Sequence, residues 1–460
     1  MKNIGGSPRT KSVFTKDWTK GSILGNLLSL SWPIMVNQSL NMVGPTIDMI
    51  WVGKLGAAPI AGVGIGGMAV MLVNSIMMGI IVGLRAIIAR FAGAGDAGDA
   101  NHVARQAFAV GAIFSIVMAS IGIFFAESIL IMFGLEADVV AEGAAYMRIM
   151  FVGSVAMSFR MVAEGIMQSS GDTVTPMKIA IAFRFLHAVL CPFLFFAWWI
   201  FPSLGVRGAA LTNVISQCLG VTLGLWVLFS GRTRLWLNLD NFRLDPKIIW
   251  RIVRIGLPAS IMGMQRNLGH LVLMWFMVPF GTLAVAAHTL CQRLDMLLVM
   301  VGIGLGNGAG VLVGQNLGAG QPERAARSGW LAAGVVEGFM VIGALAILLW
   351  ADSIIGIFNS EPNLVELAGT FLRIAAAGYL MLGFGVTLSH SISGAGDTIP
   401  PMLVTLLTIW MVQMPLAFLL PKVTDLGIYG IRWAMVASMA VGAVTYTTYF
   451  RLGKWKHKQV

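Results

Sequence analysis

Ser170-Gly171-Asp172-Thr173, followed by Pro176-Met177, returns as Ala395-Gly396-Asp397-Thr398 with Pro401-Met402, 225 positions further along the chain. The same offset relates Pro33 in Ser31-Trp32-Pro33 to Pro258 in Gly256-Leu257-Pro258, and Gly93-Ala94-Gly95 to Gly318-Ala319-Gly320. Leu204-Gly205-Val206 recurs as Leu426-Gly427-Ile428 at an offset of 222, a slip of three residues that a loop absorbs. Glycine-rich tetrapeptides recur by chance in a chain with 55 glycines, but four landmarks in one order at nearly one spacing do not. The chain is a duplicated unit.

Each unit reads as a set of membrane helices. Of 460 residues, 57% are hydrophobic and 11% charged, with a mean hydropathy of +0.83. Soluble domains carry about a quarter charged residues, so this chain lacks the polar cover a soluble surface needs. Transmembrane β-barrels alternate apolar and polar residues in segments of about ten, whereas Ala107 to Phe125 and Phe339 to Trp350 are almost unbroken apolar runs. The fold class is therefore an all-α integral membrane protein. At about 20 apolar residues per crossing, the length holds roughly ten to thirteen crossings. Runs bounded by Gly, Pro, Asp or charge clusters give twelve: 24–52, 60–91, 103–126, 140–169, 174–199, 208–230, 248–279, 284–315, 325–351, 364–394, 398–420 and 428–450.

Twelve spans and one duplication make two six-helix lobes. Six spans return the chain to its starting side, so the repeats are parallel and related by an axis along the membrane normal. The expected organisation is a tail at 1–22, an N-lobe at 23–231, a linker at 232–247, a C-lobe at 248–451 and a basic tail at 452–460. Such an arrangement places a cavity between the lobes, and rocking one lobe against the other exposes it to each side in turn.

The formal charge of +11 would point to nucleic acid in a soluble protein. In a membrane protein it follows from the positive-inside bias, and no nucleic-acid partner is expected. One side holds Lys2, Arg9, Lys11, Lys16, Lys20, Arg90, Arg105, Lys178, the run from Arg232 through Arg254, Arg324, Arg327, Arg451, Lys454, Lys456 and Lys458. The other offers Lys54, Arg207 and Lys422, with acidic segments at 127–142 and 352–366. Both termini are expected to be cytoplasmic, in a multi-pass protein of the cytoplasmic membrane. The apolar run after residue 20 is longer than a signal-peptide core and lacks a clear cleavage pattern, so the first span is expected to be retained.

Enzyme chemistry finds no foothold. Cys191, Cys218 and Cys291 lie in apolar runs with neither disulfide-framework nor metal-site spacing, and read as packing residues. His102, His187, His270, His288, His390 and His457 are scattered without metal spacing or a nucleophile motif. No Walker-type phosphate loop occurs, so ATP hydrolysis at such a site is not expected. The expected cofactor set is empty apart from a coupling ion, H+ or Na+.

The landmarks resemble the MATE family, the multidrug and toxic compound extrusion transporters. The resemblance rests on Pro33 with Ile47-Asp48-Met49-Ile50-Trp51-Val52-Gly53 and Leu55-Gly56, on Ala89-Arg90-Phe91-Ala92-Gly93-Ala94-Gly95-Asp96, and on Gly171-Asp172-Thr173. It rests also on Leu204-Gly205-Val206-Arg207-Gly208-Ala209-Ala210 and Leu312-Val313-Gly314-Gln315-Asn316-Leu317-Gly318-Ala319-Gly320. It implies a twelve-helix, two-lobed exporter that exchanges amphiphilic, often cationic compounds for protons or sodium ions.

Any coupling ion needs a membrane-embedded site, and an ionisable residue inside a span is a functional candidate by default. Asp48 is the leading one, and it matches the first-span aspartate through which many family members couple. Pro33 removes a backbone donor and can bend the same helix, in keeping with the family's first span that straightens or kinks. Where one branch of the family carries an Asn and, four residues on, an Asp before a proline, this chain has His187 and Cys191 before Pro192. That departure favours protons over sodium, with His187 as a partner for Asp48. Arg160 and Glu164, four apart, share one helical face and read either as an ion pair or as a proton relay that also involves Arg184. Gln265-Arg266-Asn267 falls near a glutamate of the NorM branch, so Arg266 replaces that acid and the pattern leans towards the DinF-like branch. Asp295 reads as a second-lobe coupling acid or as a salt-bridge partner of Arg266, and its partners must lie on other helices.

Substrate-facing candidates are Gln38, Asn41 and Met42 on the first span, Asn213 and Gln217 on the sixth, and Arg184, Gln265 and Arg266. The expected partners are drug-like or cationic small molecules and the bilayer, for a monomeric protein. A flippase for lipid-linked substrates, from the related polysaccharide and oligosaccharidyl-lipid group, is the alternative. Extra spans beyond twelve and a strongly cationic central cavity would favour it; the sequence shows neither.

Overall fold

The structure, a computed structural model, describes residues 16–52, 57–132, 134, 136–196, 204–238, 242–359 and 361–460. Lys2, Arg9, Lys11, Lys54, the Gly53 and Leu55-Gly56 part of the first motif, and 197–199 of the fifth expected span lie outside the described residues. The N-lobe comprises α1 (Ile23–Val52), α2 (Ala57–Ala94), α3 (Ala97–Met132), α4 (Ala137–Val152), α5 (Ser154–Ser170), α6 (Val174–Phe196) and α7 (Gly205–Phe229). The C-lobe comprises α8 (Pro246–Met277), α9 (Thr282–Gly318), α10 (Pro322–Gly356), α11 (Pro362–Gly394), α12 (Ile399–Leu406), α13 (Met414–Val423) and α14 (Tyr429–Leu452).

These form the twelve expected spans, with two refinements. The fourth is not one straight helix: α4 and α5 meet at a 44° bend at Gly153. The eleventh runs from α12 through a π-helical stretch, Leu407–Gln413, into α13. Eight described helices, or nine with the bent pair joined, are apolar enough to cross a membrane on composition alone. The three spans outside that set are α1, α8 and α14, which carry Asp48, Arg266 and Arg432. Polar spans are tolerated only where protein or a water-filled cavity covers their charges.

The repeat is visible in the backbone. Gly171 and Gly396 adopt left-handed φ values of 97° and 88°, Gly95 and Gly320 of 78° and 69°, and Gly205 and Gly427 of 50° and 51°. A side chain would be strained there, so each landmark glycine is held by the turn it makes. The repeat extends to charge: Arg148 pairs with Glu127 at 2.8 Å, and Arg373, at the same offset, with Asp352 at 2.7 Å.

The lobes meet through α1, α2, α8 and α9, and they do so reciprocally. A Cβ on Gly93 would strike Gln315, and one on Gly318 would strike Arg90; each residue of one contact is the repeat equivalent of one in the other. Gly83 abuts Gly256 while Gly308 abuts Ser31, and Gly79 abuts Ser260 while Gly304 abuts Met35, again as exchanged equivalents. Gly314 packs on Ala89, its own counterpart, so the pseudo-two-fold axis passes between them. Helices in a membrane gain little from hydrophobic burial against each other, so close backbone approach at small residues is what joins them. All these contacts lie in the halves of the helices nearest the termini. The hydrogen bond from Asn267 Nδ2 to Ser75 Oγ, at 2.8 Å, is farther along. The contacts that join the lobes thus concentrate at the terminal end.

The ends of the lobes are fastened by the linker and the basic tail. Asp245 caps α8, accepting from the amides of Lys247 and Ile248, with Pro246 following at the first helical position. The His102 imidazole and these amides hold the Asp245 carboxyl below its ordinary range. The cap is therefore intact at neutral pH and is lost as acid protonates Asp245. In the tail, Trp455 is fully buried and stacks on Phe450 with ring centroids 4.5 Å apart. Lys456 pairs with Glu323 at 2.9 Å and Lys458 with Asp397 at 3.3 Å. Arg90 of the N-lobe donates to the carbonyls of Ala395 and Lys458, so the docked tail ties the two lobes together. Trp455→Ala is expected to release it, read as faster tryptic cleavage after Lys454 and Lys456 in the folded protein.

Candidate functional site

On α1, Asn37, Asn41, Gly44 and Asp48 recur at three- and four-residue spacing and line one face. On α6, Arg184, His187 and Cys191 do the same. The two helices pack together and bring Asp48 Oδ1 to 3.0 Å from His187 Nε2 and 3.9 Å from Cys191 Sγ. Asp48 is 3% exposed, and His187 and Cys191 are fully buried. The expected Asp48–His187 partnership is present in the geometry. Cys191, read from sequence as a packing residue, also touches the carboxylate.

A second polar level lies closer to the terminal end. Glu164 Oε2 accepts from Arg160 Nη1 at 2.8 Å, and Oε1 accepts from Asn37 Nδ2 at 2.9 Å and Gln168 Nε2 at 2.8 Å. Arg160 Nε also donates to Gln217 Oε1. Glu164 is thus fully engaged, and Gln217, expected to face substrate, is buried and already occupied by Arg160. Asn41 Nδ2 lies 3.4 Å from both Asn37 Oδ1 and Gln38 Oε1, which connects the first-span amides to this network. Met42 and Asn213 are half-buried. Pro33 is buried inside α1, near the lobe contacts.

Of the two readings of Arg160 and Glu164, the ion pair is formed, and no hydrogen bond joins Arg184 to it among the described residues. The Arg184 guanidinium occupies the space that Gly44 leaves on α1, which sets it between the two polar levels. It shares the Phe183 ring with Arg160, their guanidinium carbons lying 5.1 and 4.7 Å from the centroid. Asn37, Asn41 and, against Gly44, the Arg184 guanidinium from α6 thus lie along α1 between Glu164 and Asp48.

The C-lobe corrects another expectation. Asp295 does not pair with Arg266; it accepts from the Tyr379 hydroxyl and pairs with Arg432 Nη1 at 3.3 Å. Arg432 is 1% exposed and lies over the Phe371 ring. Asp295, with its side chain 17% exposed, thus meets two donors on other helices, and its guanidinium partner is the buried member of the pair. Removing one partner of such a pair costs about 3–5 kcal/mol. Arg432→Gln is accordingly expected to lower the thermal midpoint in detergent sharply, while Asp295→Asn paired with Arg432→Gln recovers part of the loss. Gln265 is buried, its Oε1 without a hydrogen-bond partner, and Arg266 is exposed.

Asn37, Tyr379 and Arg432 were not among the residues singled out from sequence. Asn37 carried a usable signal, one turn before Asn41 on the same face. The others are recognisable only once the helices are packed.

Twelve helices in two pseudo-symmetric lobes around a cleft, with ionisable groups buried at membrane depth, define a multi-pass membrane transporter. The chain belongs to the MatE family, whose model matches residues 33–193 and again 258–419. The two matches begin at the repeat-related Pro33 and Pro258. It is 26% identical over 441 residues to a probable multidrug resistance protein NorM of Thermotoga maritima, covering 94% of this chain and 93% of that one. It is 25% identical over 456 residues to a probable multidrug resistance protein, YoeA, of Bacillus subtilis, with 97% of each covered. A solved structure of a multidrug resistance MATE family transporter of the MOP superfamily, in its outward-facing conformation, shares the fold, with a TM-score of 0.89, 23% identity, and coverage of 97% of this chain and 98% of that one.

Proposed function

We propose that this protein is a secondary active antiporter of the cytoplasmic membrane, with both termini cytoplasmic. It acts as a monomer, exporting amphiphilic drug-like compounds, cationic ones included, in exchange for protons by alternating access. The names of the NorM and YoeA relatives support the multidrug part of this reading. The density of basic residues at the terminal end supports the orientation. With the lobes joined at the terminal end, the cleft between them faces outward in this arrangement.

The observation that carries proton coupling is the donor set around Asp48. Sodium is a hard cation held by several oxygens, like other hard cations. Here an imidazole nitrogen at 3.0 Å and a thiol at 3.9 Å, both fully buried, stand beside Asp48 Oδ1. Nitrogen and sulfur are poor partners for a hard cation, whereas an imidazole is a ready proton carrier. The proton enters while the cleft is open outward and leaves when the lobes open to the cytoplasm, which drives substrate the other way.

The test is ethidium transport in proteoliposomes under separately imposed gradients. A proton gradient alone is expected to drive accumulation, and a sodium gradient at equal pH is not. Accumulation driven by sodium alone would overturn the assignment of the ion.

Spans beyond twelve would favour the flippase alternative, and the described residues form twelve.

A further inference from the structure

The repeated turn, Ser170-Gly171-Asp172-Thr173 in the N-lobe and Ala395-Gly396-Asp397-Thr398 in the C-lobe, is gripped from the facing lobe at both copies. Gln315 of α9 donates through Nε2 to the Ser169 carbonyl at 2.9 Å, and its repeat equivalent, Arg90 of α2, donates through Nη2 to the Ala395 carbonyl at 3.0 Å. Each turn is also covered by the segment that follows its lobe's last helix. The linker covers the first, with Arg234 Nη1 donating to the Ser170 carbonyl at 3.1 Å, and the C-terminal tail covers the second. Here the copies part. Arg234 belongs to the lobe whose turn it covers, whereas Arg90 Nη2 reaches from the N-lobe to the Lys458 carbonyl of the tail at 2.8 Å.

The tail's holds on the two lobes are unequal. On the C-lobe side Trp455 is buried, stacks on Phe450 and donates through Nε1 to the Phe450 carbonyl at 3.0 Å, while Trp330 of α10 meets the same Phe450 ring edge-on at 5.3 Å. Lys458 pairs with Asp397, which also accepts from the Tyr449 hydroxyl, and Val460 fills the space that Gly396 leaves at a φ of 88°. The Lys456–Glu323 pair is largely exposed on the Glu323 side, and such pairs add little. Stacking and burial of Trp455 therefore anchor the tail. On the N-lobe side stand the Arg90 hydrogen bond and the contact of Val460 with the apolar cluster built from α2, α3, α5, α6 and α7 and the start of α8.

We propose that the C-terminal tail is a conformational latch: it stays seated on the C-lobe, and it must release Arg90 and the N-lobe cluster before the terminal end of the cleft can open. This rests on reading transport as the rocking of one lobe against the other. A contact made in one arrangement only favours that arrangement by its own free energy. A hydrogen bond from a charged donor shifts such a balance about tenfold or more, and the Val460 contact adds to it. The line of separation runs between Arg90 and Lys458, because the stacked tryptophan and both lysine pairs lie on the C-lobe side.

The test uses the purified protein with Cys218→Ser and spin labels at Glu136→Cys and Glu361→Cys, exposed repeat equivalents at the lobe ends away from the termini. Removal of residues 458–460 is expected to shorten the distance between these labels, raising the population open at the terminal end about tenfold. Arg90→Gln, which leaves the tail whole, is expected to move it in the same direction. A second set of labels reports which hold is given up when Gly93→Leu crowds the Gln315 backbone and forces the terminal end apart. The distance from Gln459→Cys to Asp99→Cys on the N-lobe is expected to lengthen, and that from Gln459→Cys to Arg327→Cys on the C-lobe to stay as it was; all three positions are exposed. Distributions unchanged by both the truncation and Arg90→Gln overturn the latch, and so does a tail that follows the N-lobe. If Gly93→Leu moves the Glu136→Cys to Glu361→Cys distance while neither tail variant does, the latch alone falls; if none of the three moves it, the rocking of the lobes falls as well.

Discussion

Asp48→Asn is expected to reduce proton-driven ethidium accumulation to the level of protein-free liposomes while leaving the fold intact. The substitution is nearly isosteric, and the amide can occupy the position of the carboxylate, 3.0 Å from His187 Nε2, without new crowding. The thermal midpoint in detergent should therefore stay within a few degrees of the unaltered protein. What is lost is a group that exchanges a proton, and with it the differential binding by which a gradient biases one conformation over the other. A ligand that binds both states equally shifts nothing, so a side chain that cannot release its proton supplies no drive. Ethidium counterflow without a gradient should persist, since that exchange needs the path and not the coupling. Normal accumulation by Asp48→Asn under a proton gradient would remove Asp48 from the mechanism. Loss of accumulation and counterflow together would place it in the substrate path instead.

The residues that make the fold repeat, and those that make the site do not. Gly95, Gly171 and Pro33 recur as Gly320, Gly396 and Pro258 because a left-handed turn or a bent helix is needed in both lobes. At the same offset from Asp48, His187 and Cys191 stand Leu273, Val412 and Leu416, and from Arg160 and Glu164 stand Gly385 and Ser389. The duplicated pattern made the spans and lobes legible, and departures from it marked where the chemistry lies. Pairings within one helix were equally legible: Arg160 and Glu164 are four apart, and helical periodicity alone puts them together. Pairings between helices were not. Asp295 meets Tyr379 at a separation of 84 residues and Arg432 at 137, and nothing in the spacing of a single chain says which helix faces which. Asp48 and His187 lie comparably far apart, and there the resemblance to the family supplied what periodicity lacked. Arg432 also hid in plain view, because a basic residue near the start of a span reads as an end-of-helix charge until its guanidinium is seen to be 1% exposed.

The reciprocal glycine contacts give the second large effect. Gly93→Leu places a side chain against the Gln315 backbone at the closed end of the cleft, and Gly318→Leu places one against the Arg90 backbone at the repeat-related position. Backbone cannot yield as a flexible side chain does, and overpacking of a tight contact costs about 1–3 kcal/mol. The cost falls only on the state in which these surfaces touch, so it becomes a shift of roughly 5- to 150-fold in the balance between lobe arrangements. Spin labels at Glu136→Cys and Glu361→Cys, exposed repeat equivalents at the open ends of the two lobes, report that balance. They are introduced with Cys218, the exposed native cysteine, replaced by Ser. Both leucine variants are expected to move the distance distribution towards shorter separations as the terminal end opens and the far end closes, and ethidium transport falls with it. The two substitutions together should add less than their sum, because they act on one interface. Gly334→Leu is the matched control, since a Cβ there meets nothing within 4 Å. A distribution unchanged in both Gly93→Leu and Gly318→Leu would mean that the contact around the pseudo-two-fold axis does not separate during transport, and the rocking-lobe account would fail with it.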